Sequence, residues 1–324
     1  MLWCWPMTSA AKPDAESVAV KSNGRKAPAL SVVVAAVDAD RSIDACLSAL
    51  EVACAEIDAE IVVVDASRGR ALERVTRNFP AVRTIRLPPG TVVPVLWSHG
   101  LEASRGTVVA FTIAQCVVSA TWARSLLQGL RPGVGGAGGG FIAAPGTSAA
   151  DWAAFFLRYS AFLAEGWMPG PVAGEIAGDN AAYRRSDLLA LGLPRARGFW
   201  EVEAHRVLRQ RGLSLIAVDG ATAAVAGLGS RRGFLRQRFV HGRRFGASRI
   251  ESREVMRARV WIAAPLVPAV LAWRAARRAL PHARHRWRFL ASLPWFTVFA
   301  ASWALGEAAG AWLGPEEPTA RERS

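Results

Sequence analysis

Four strand-like runs, most of them continuously apolar and each followed by a segment with helical spacing, constrain what this chain can fold into more than any other feature. The first run, LSVVVAAV (30–37), has no polar face, as a strand covered on both sides requires. The segment after it, SIDACLSALEVACAEI, sets Ile43, Leu47, Leu50 and Cys54 along one helix face, with Ser42 placed to cap its start. EIVVVD (60–65), VRTIRL (82–87) and TVVAFT (107–112) repeat the strand pattern, and RALERVTRNF, VPVLWSHGLEASR and SATWARSLLQGL the helical one. Short connections between alternating strands and helices predict an α/β fold: an open, Rossmann-like, mostly parallel sheet flanked by helices. In such sheets ligands bind beyond the carboxyl ends of the strands. Asp38, Asp65 and the segment FTIAQC (111–116) all stand at such ends.

The pattern then loosens. RPGVGGAGGGF (131–141) contains the spacing G-x-G-x-x-G, but a helix precedes it and the apolar FIAA follows. That reverses the context of a dinucleotide-binding loop, so the stretch reads as a flexible turn. DWAAFFLRYSAFLAEG and GFWEVEAHRVLRQRG (198–212) read as helices, and LSLIAV as a strand. Residues 231–259 hold ten Arg against two Glu. They are followed by an apolar segment (260–273), a basic one with six Arg (274–288), and a second apolar one (289–305). A membrane span needs about 20 apolar residues. The second apolar segment approaches that length unless Glu307 ends it, while the first is short and contains Pro265 and Pro268. The expectation is a membrane-associated helical hairpin over 260–314, with helices lying in the headgroup plane, or a buried helix pair, as alternatives. The chain thus divides into a disordered leader (1–27), an α/β domain (28–230), a basic amphipathic interface segment (231–259), the hairpin (260–314) and a polar tail (315–324).

Charge narrows the partners. Among 324 residues, 52% hydrophobic, the formal net charge is +14, and all but three of the 40 basic residues are Arg. Such a balance calls for an anionic partner: nucleic acid, an anionic membrane face or a phosphorylated ligand. No nucleic-acid module is recognisable, which leaves the other two. The four cysteines are scattered without metal-ligand spacing, as buried thiols in a reducing compartment would be. The first residues lack the basic and apolar regions of a secretory signal.

SVVVAAVDADRSIDACLSAL, EIVVVDAS, GLEASRGTVVAFTIAQCVVSATW, GDNAAYRRSDLLALG and GFWEVEAHRVLRQRG, in that order and spacing between about Leu30 and Gly246, resemble family 2 glycosyltransferases of the GT-A fold. The resemblance implies transfer of a sugar from a nucleotide-diphosphate donor, with inversion. It places Asp38 and Asp65 on the donor's base and ribose, and Gln115 beside them. Asp179 and Asn180 would face the acceptor or a sugar, and Glu201 would be the general base. Trp200 stands where the family's first acidic residue would be, and Glu203 is an alternative acid nearby.

The family's metal-binding aspartates hold Mg²⁺ or Mn²⁺ against the diphosphate. By alignment they become Ile113 and Gln115 here. Isoleucine cannot ligate, and a neutral amide is a poor ligand for a hard cation. Three readings follow. Arginines, Arg236 and Arg238 among Arg231, Arg232, Arg236 and Arg238, replace the metal at the diphosphate; His99 or a nearby acid rebuilds a metal site; or the chain is a non-catalytic binding or scaffold protein at the membrane. The first leads, with a lipid-linked or glycan acceptor, an anionic membrane and no nucleic acid as partners. The arginine distribution puts the catalytic part on the cytoplasmic side.

Overall fold

The computed structural model describes residues 27–144, 146–192, 198–227, 230–251 and 256–314. The 315–324 tail, and the 1–27 leader but for its last residue, lie outside them. The described residues form two compact units, an α/β unit of 27–227 with 274–293, and a helical unit of 230–273 with 294–314.

The apolar runs of the sequence are the centre of the α/β unit. β1 (Leu30–Ala36) is buried at every position. It pairs in parallel with β2 (Ala59–Asp65) on one side and β4 (Val108–Ile113) on the other. β3 (Arg83–Arg86) extends the sheet beyond β2. Each fully buried Val on these strands contributes roughly 1.5–3 kcal/mol by leaving water, which is why uninterrupted valine runs commit to central positions. The intervening helices are α1 (Ile43–Cys54), α2 (Ala71–Asn78) and α3 (Val93–Ala103). Ile43, Leu47, Leu50 and Cys54 of α1 face inward as their spacing requires. Ser42 does precede α1, but its side chain makes no cap hydrogen bond.

The complete sheet runs β3-β2-β1-β4-β9-β6-β10-β8. β9 (Asn180–Arg184) lies antiparallel between β4 and β6 (Val134–Gly138). β10 (Ser214–Ala217) is parallel to β6, and the short β8 (Gly170–Pro171) closes the edge antiparallel to it. A small second sheet joins β5 (Cys116–Val118), β11 (Ala223–Val225) and β7 (Phe141–Ala143). The glycine stretch expected as a flexible turn is therefore strand β6, buried at every position. Glycines here let neighbours close in: a side chain at Gly136 of β6 would strike the Tyr183 ring, and one at Gly139, just past the strand, the Ala221 carbonyl oxygen.

α4 (Trp122–Gly129), α6 (Arg185–Leu189) and α7 (Glu201–Gln210) complete this unit with α5 (Ala149–Tyr159). A capping box between Ser148 and Asp151 starts α5, an arrangement that stabilises a helix by about 1 kcal/mol. The helix expected over 151–166 ends at Tyr159 and continues as two single 3₁₀ turns. α5 is covered by residues of the 274–293 segment. Phe289 meets Phe156 edge to face at 5.3 Å, and Arg288 stacks over Trp152 at 4.7 Å. His285 lies 5.8 Å from the Trp152 ring and 3.1 Å from the Glu165 carboxylate.

The helical unit contains α8 (Arg231–Glu251), α9 (Arg257–Ala263) and parts of α10 (Val267–Ala279) and α11 (Ala283–Leu313). α8 and α11 run parallel, with Phe234 against Phe299 at 4.8 Å and the Ser302 hydroxyl donating to Leu235 O at 2.9 Å. Gly242 and Gly246 of α8, and Gly306 and Gly310 of α11, abut the other helix's backbone so closely that a Cβ at any of them would collide with it. Two G-x-x-x-G spacings thus interlock, as small residues allow helices to do.

Candidate active site

The carboxyl ends of β2, β1 and β4 and the amino end of β9 form one continuous edge. Ala36 is opposite Asp65, Ala35 opposite Ile113, and Thr112 opposite Asn180. Asp65 ends β2 fully buried. It accepts the Ser67 backbone N–H at 3.1 Å and an ion-paired hydrogen bond from Arg86. Asp38, two residues past the β1 end, is exposed and holds a left-handed backbone, φ 48°, a conformation Asp tolerates better than most side chains. Gln115 is half-buried and donates its amide to Val37 O at 2.8 Å. The edge therefore brings Asp38, Asp65 and Gln115 to neighbouring strand ends.

Asp179 stands just before β9, buried, and accepts from the Tyr159 hydroxyl at 2.5 Å and from the Arg158 guanidinium at 3.0 Å. Both donors come from the last turn of α5. Asn180 points into protein. It accepts the Trp122 indole N–H at 2.6 Å and donates to Gly140 O and Ala221 O, each at 3.0 Å. Its amide is consumed in joining β9 to the small sheet, so this fully buried side chain serves the fold.

Glu201 is the first residue of α7, and the preceding GFW holds it in place. Gly198 turns with φ 85°, close against Pro94, where a side chain would clash. The Phe199 N–H donates to Pro94 O at 2.8 Å, and its ring packs 4.7 Å from Phe111 of β4. Trp200 takes the N-cap position. Gly178 lies so near Glu201 that a Cβ there would come within 3.1 Å of the Glu201 Cβ. Burial pushes the Glu201 carboxyl up to about 7, aided by the charges of Asp179 and Glu175 and opposed by its own backbone N–H bond and by Arg158. Glu203 is half-buried two residues along.

Behind Glu201 runs a chain of polar groups that sequence reading missed, with Tyr183 and His205 fully buried and Glu175 and Arg209 half-buried. The Tyr183 hydroxyl and His205 Nε2 share a hydrogen bond of 2.7 Å, His205 Nδ1 meets Glu175, and Arg209 donates to Glu175 at 2.9 Å. Burial keeps His205 below its ordinary value, with Glu175 resisting, and Glu175 falls below the usual carboxylate range under His205 and Arg209 despite burial. His205 follows Glu201 by four residues, the one available signal that both share a helix face. Arg158 carried no signal; only the fold brings it to Asp179.

The residues aligned with metal ligands do not fit a divalent cation. Ile113 is apolar and buried, and Gln115 offers at most one neutral oxygen. Among the described residues no three His, Cys, Asp or Glu side chains cluster as metal ligands would. Arg236 and Arg238 belong to α8 in the helical unit, where Arg238 stacks on Phe234 at 5.1 Å and contacts His241 at 3.1 Å.

No protein-family profile matches the sequence, and no curated protein matches it. Among solved structures, the chain is similar to the mannosyltransferase PcManGT from Pyrobaculum calidifontis, solved with GDP-Man and Mn²⁺. The TM-score is 0.52 at 15% identity, over 89% of this chain and 88% of that one. S. aureus TarS also matches, with TM-score 0.44 and 13% identity over 66% of this chain; the match spans 39% of TarS. The α/β fold, with its large mostly parallel sheet, is thus one found in a glycosyltransferase.

Proposed function

We propose that the chain is a membrane-associated glycosyltransferase that moves a sugar from a nucleotide-diphosphate donor to a lipid-linked acceptor in a single inverting displacement. One observation carries the reading: Glu201, a helix-N-terminal carboxyl with its proton affinity raised to about 7, beside Asp179 at the ligand-binding edge of the sheet. A base tuned near working pH takes the acceptor hydroxyl proton most effectively. The acceptor oxygen bonds to the anomeric carbon, the bond from that carbon to the diphosphate oxygen breaks, its electron pair leaves with the nucleotide diphosphate, and the proton ends on Glu201. Asp38 and Asp65 are assigned to the base and ribose, with Gln115 beside them, because carboxylates accept such N–H and O–H donors. Asp179 is assigned to the sugar side. A metal would neutralise the leaving diphosphate, but Ile113 and Gln115 do not suit one. At this edge Arg158 supplies a guanidinium for the phosphate charge.

The test is donor binding by thermal shift across a panel of nucleotide sugars in EDTA, followed by transfer and the anomeric configuration of the product. Stabilisation by one donor in EDTA, with an inverted product lost in Glu201→Gln, is expected. Retention of configuration, or full activity in Glu201→Gln, would overturn the mechanism, and a strict Mn²⁺ requirement would overturn the metal assignment. The missing metal ligands favour one second reading, a donor-binding protein without transfer; donor stabilisation with no product under any condition would establish it.

A further inference from the structure

α11 is the one helix among the described residues long and apolar enough to cross a bilayer. Its 31 residues span about 45 Å at 1.5 Å per residue, more than the roughly 30 Å of hydrocarbon. From Phe289 to Leu313 its single charged residue is Glu307, the residue expected to interrupt a span. In the structure Glu307 is buried and ion-paired to Arg249 of α8, so it leaves the outer edge of α11 uncharged. That edge carries Val298, Leu305 and Trp312, exposed by 46%, 64% and 57% and spaced seven residues apart, two turns each.

Its partner decides what this edge can enter. α8 holds seven Arg in 21 residues, on every side of the helix, unlike the amphipathic segment expected. The two helices are in register from Arg231, stacked over Trp295 at 4.9 Å, to Arg243, whose Nε donates to Gly314 O at 3.0 Å. The glycine contacts between these ends leave no gap. Were this half of α11 to cross a bilayer, α8 would cross beside it and carry Arg236, Arg238, Arg243 and Arg244 into hydrocarbon, where guanidinium groups are costly. In the headgroup plane the same arginines are attracted to anionic lipid, and their long side chains reach phosphate from any side of the helix.

We propose that α8 and α11 lie together in the headgroup plane of an anionic bilayer, α11 setting Val298, Leu305 and Trp312 into the lipid, and that neither helix crosses it. The inference rests on the membrane-associated part of the reading above and is independent of the transfer chemistry.

The test uses full-length protein and vesicles of phosphatidylcholine with or without phosphatidylglycerol. Flotation is expected with the anionic vesicles alone, weakening by tenfold or more when salt rises from about 0.1 to about 0.5 M, as screened headgroup contacts must. Fluorophores on V298C, L305C and W312C should then show one shared shallow depth by spin-labelled lipid quenching. A deep Leu305 position between shallower neighbours, binding indifferent to salt and lipid charge, or no binding to either vesicle would overturn the proposal. The double variant V298E/L305E should lose at least tenfold in vesicle binding while its thermal shift with donor nucleotide is unchanged. That second readout keeps failure here separate from failure of the transferase reading.

Discussion

Glu201 shows how position sets chemistry at a single residue. Its folded-state proton affinity lies near 7 against an ordinary 4.5, so the native protein holds this proton more tightly than the unfolded chain. The stabilising contribution is complete below about 4.5 and is lost as pH rises through 7. Glu201→Gln should therefore raise the melting temperature at pH 8 and change it least at pH 4, while transfer falls by roughly 10²–10⁴-fold. Transfer by the native enzyme should decline below pH about 7, and Glu175→Gln, which removes a neighbouring charge, should move that limb to lower pH. Asn180 calls for the opposite experiment. The sequence marked it as facing a sugar, yet its amide makes three internal hydrogen bonds. Asn180→Ala should cost on the order of 3 kcal/mol in denaturant unfolding by orphaning buried groups. A sugar contact would instead raise KM and leave stability alone.

Among elements, the glycines of β6 and of the connection that follows it set a sharp expectation. A Cβ at Gly139 would strike the Ala221 carbonyl, a rigid backbone atom, so Gly139→Ala should destabilise by several kcal/mol or abolish folding. Gly306→Leu should likewise part α8 from α11, read as lost vesicle binding with the α/β unit's melting intact. These glycines also mark where sequence reading stopped. The strands from β1 to β4 and the helices between them were legible because a buried strand writes itself as a valine run and a helix face as a period. β6 was not, because a strand rich in glycine has few side chains to show a period; its reason for being glycine lies in Ile176 and Tyr183, far away in the chain. Asp38, Asp65 and Gln115 were found because strand ends are visible in sequence. Arg158, the Tyr183–His205–Glu175 chain and the α8–α11 pairing were not, since each depends on contacts between elements distant in sequence.

For the whole molecule, energy separates crossing from lying flat. Each arginine at the centre of a bilayer costs about 2.5–3.5 kcal/mol even on insertion scales, so Arg236, Arg238, Arg243 and Arg244 together oppose crossing by as much as about 10 kcal/mol. Each near an anionic surface instead gains about 1 kcal/mol. The two terms have opposite sign, and high salt weakens only the second, so salt extraction of native membranes should release the protein without detergent. A different consequence concerns how the chain can be divided. Residues 274–293 lie late in the sequence yet belong to the α/β unit, where Phe289, His285 and Arg288 cover Phe156 and Trp152 of α5. Shortening the protein at residue 259 removes that cover along with α11, while α8 is retained. The fragment would precipitate through the bared aromatic face of α5, the helix whose last turn grips Asp179, and a loss of activity in it would be a loss of folding mistaken for a loss of membrane.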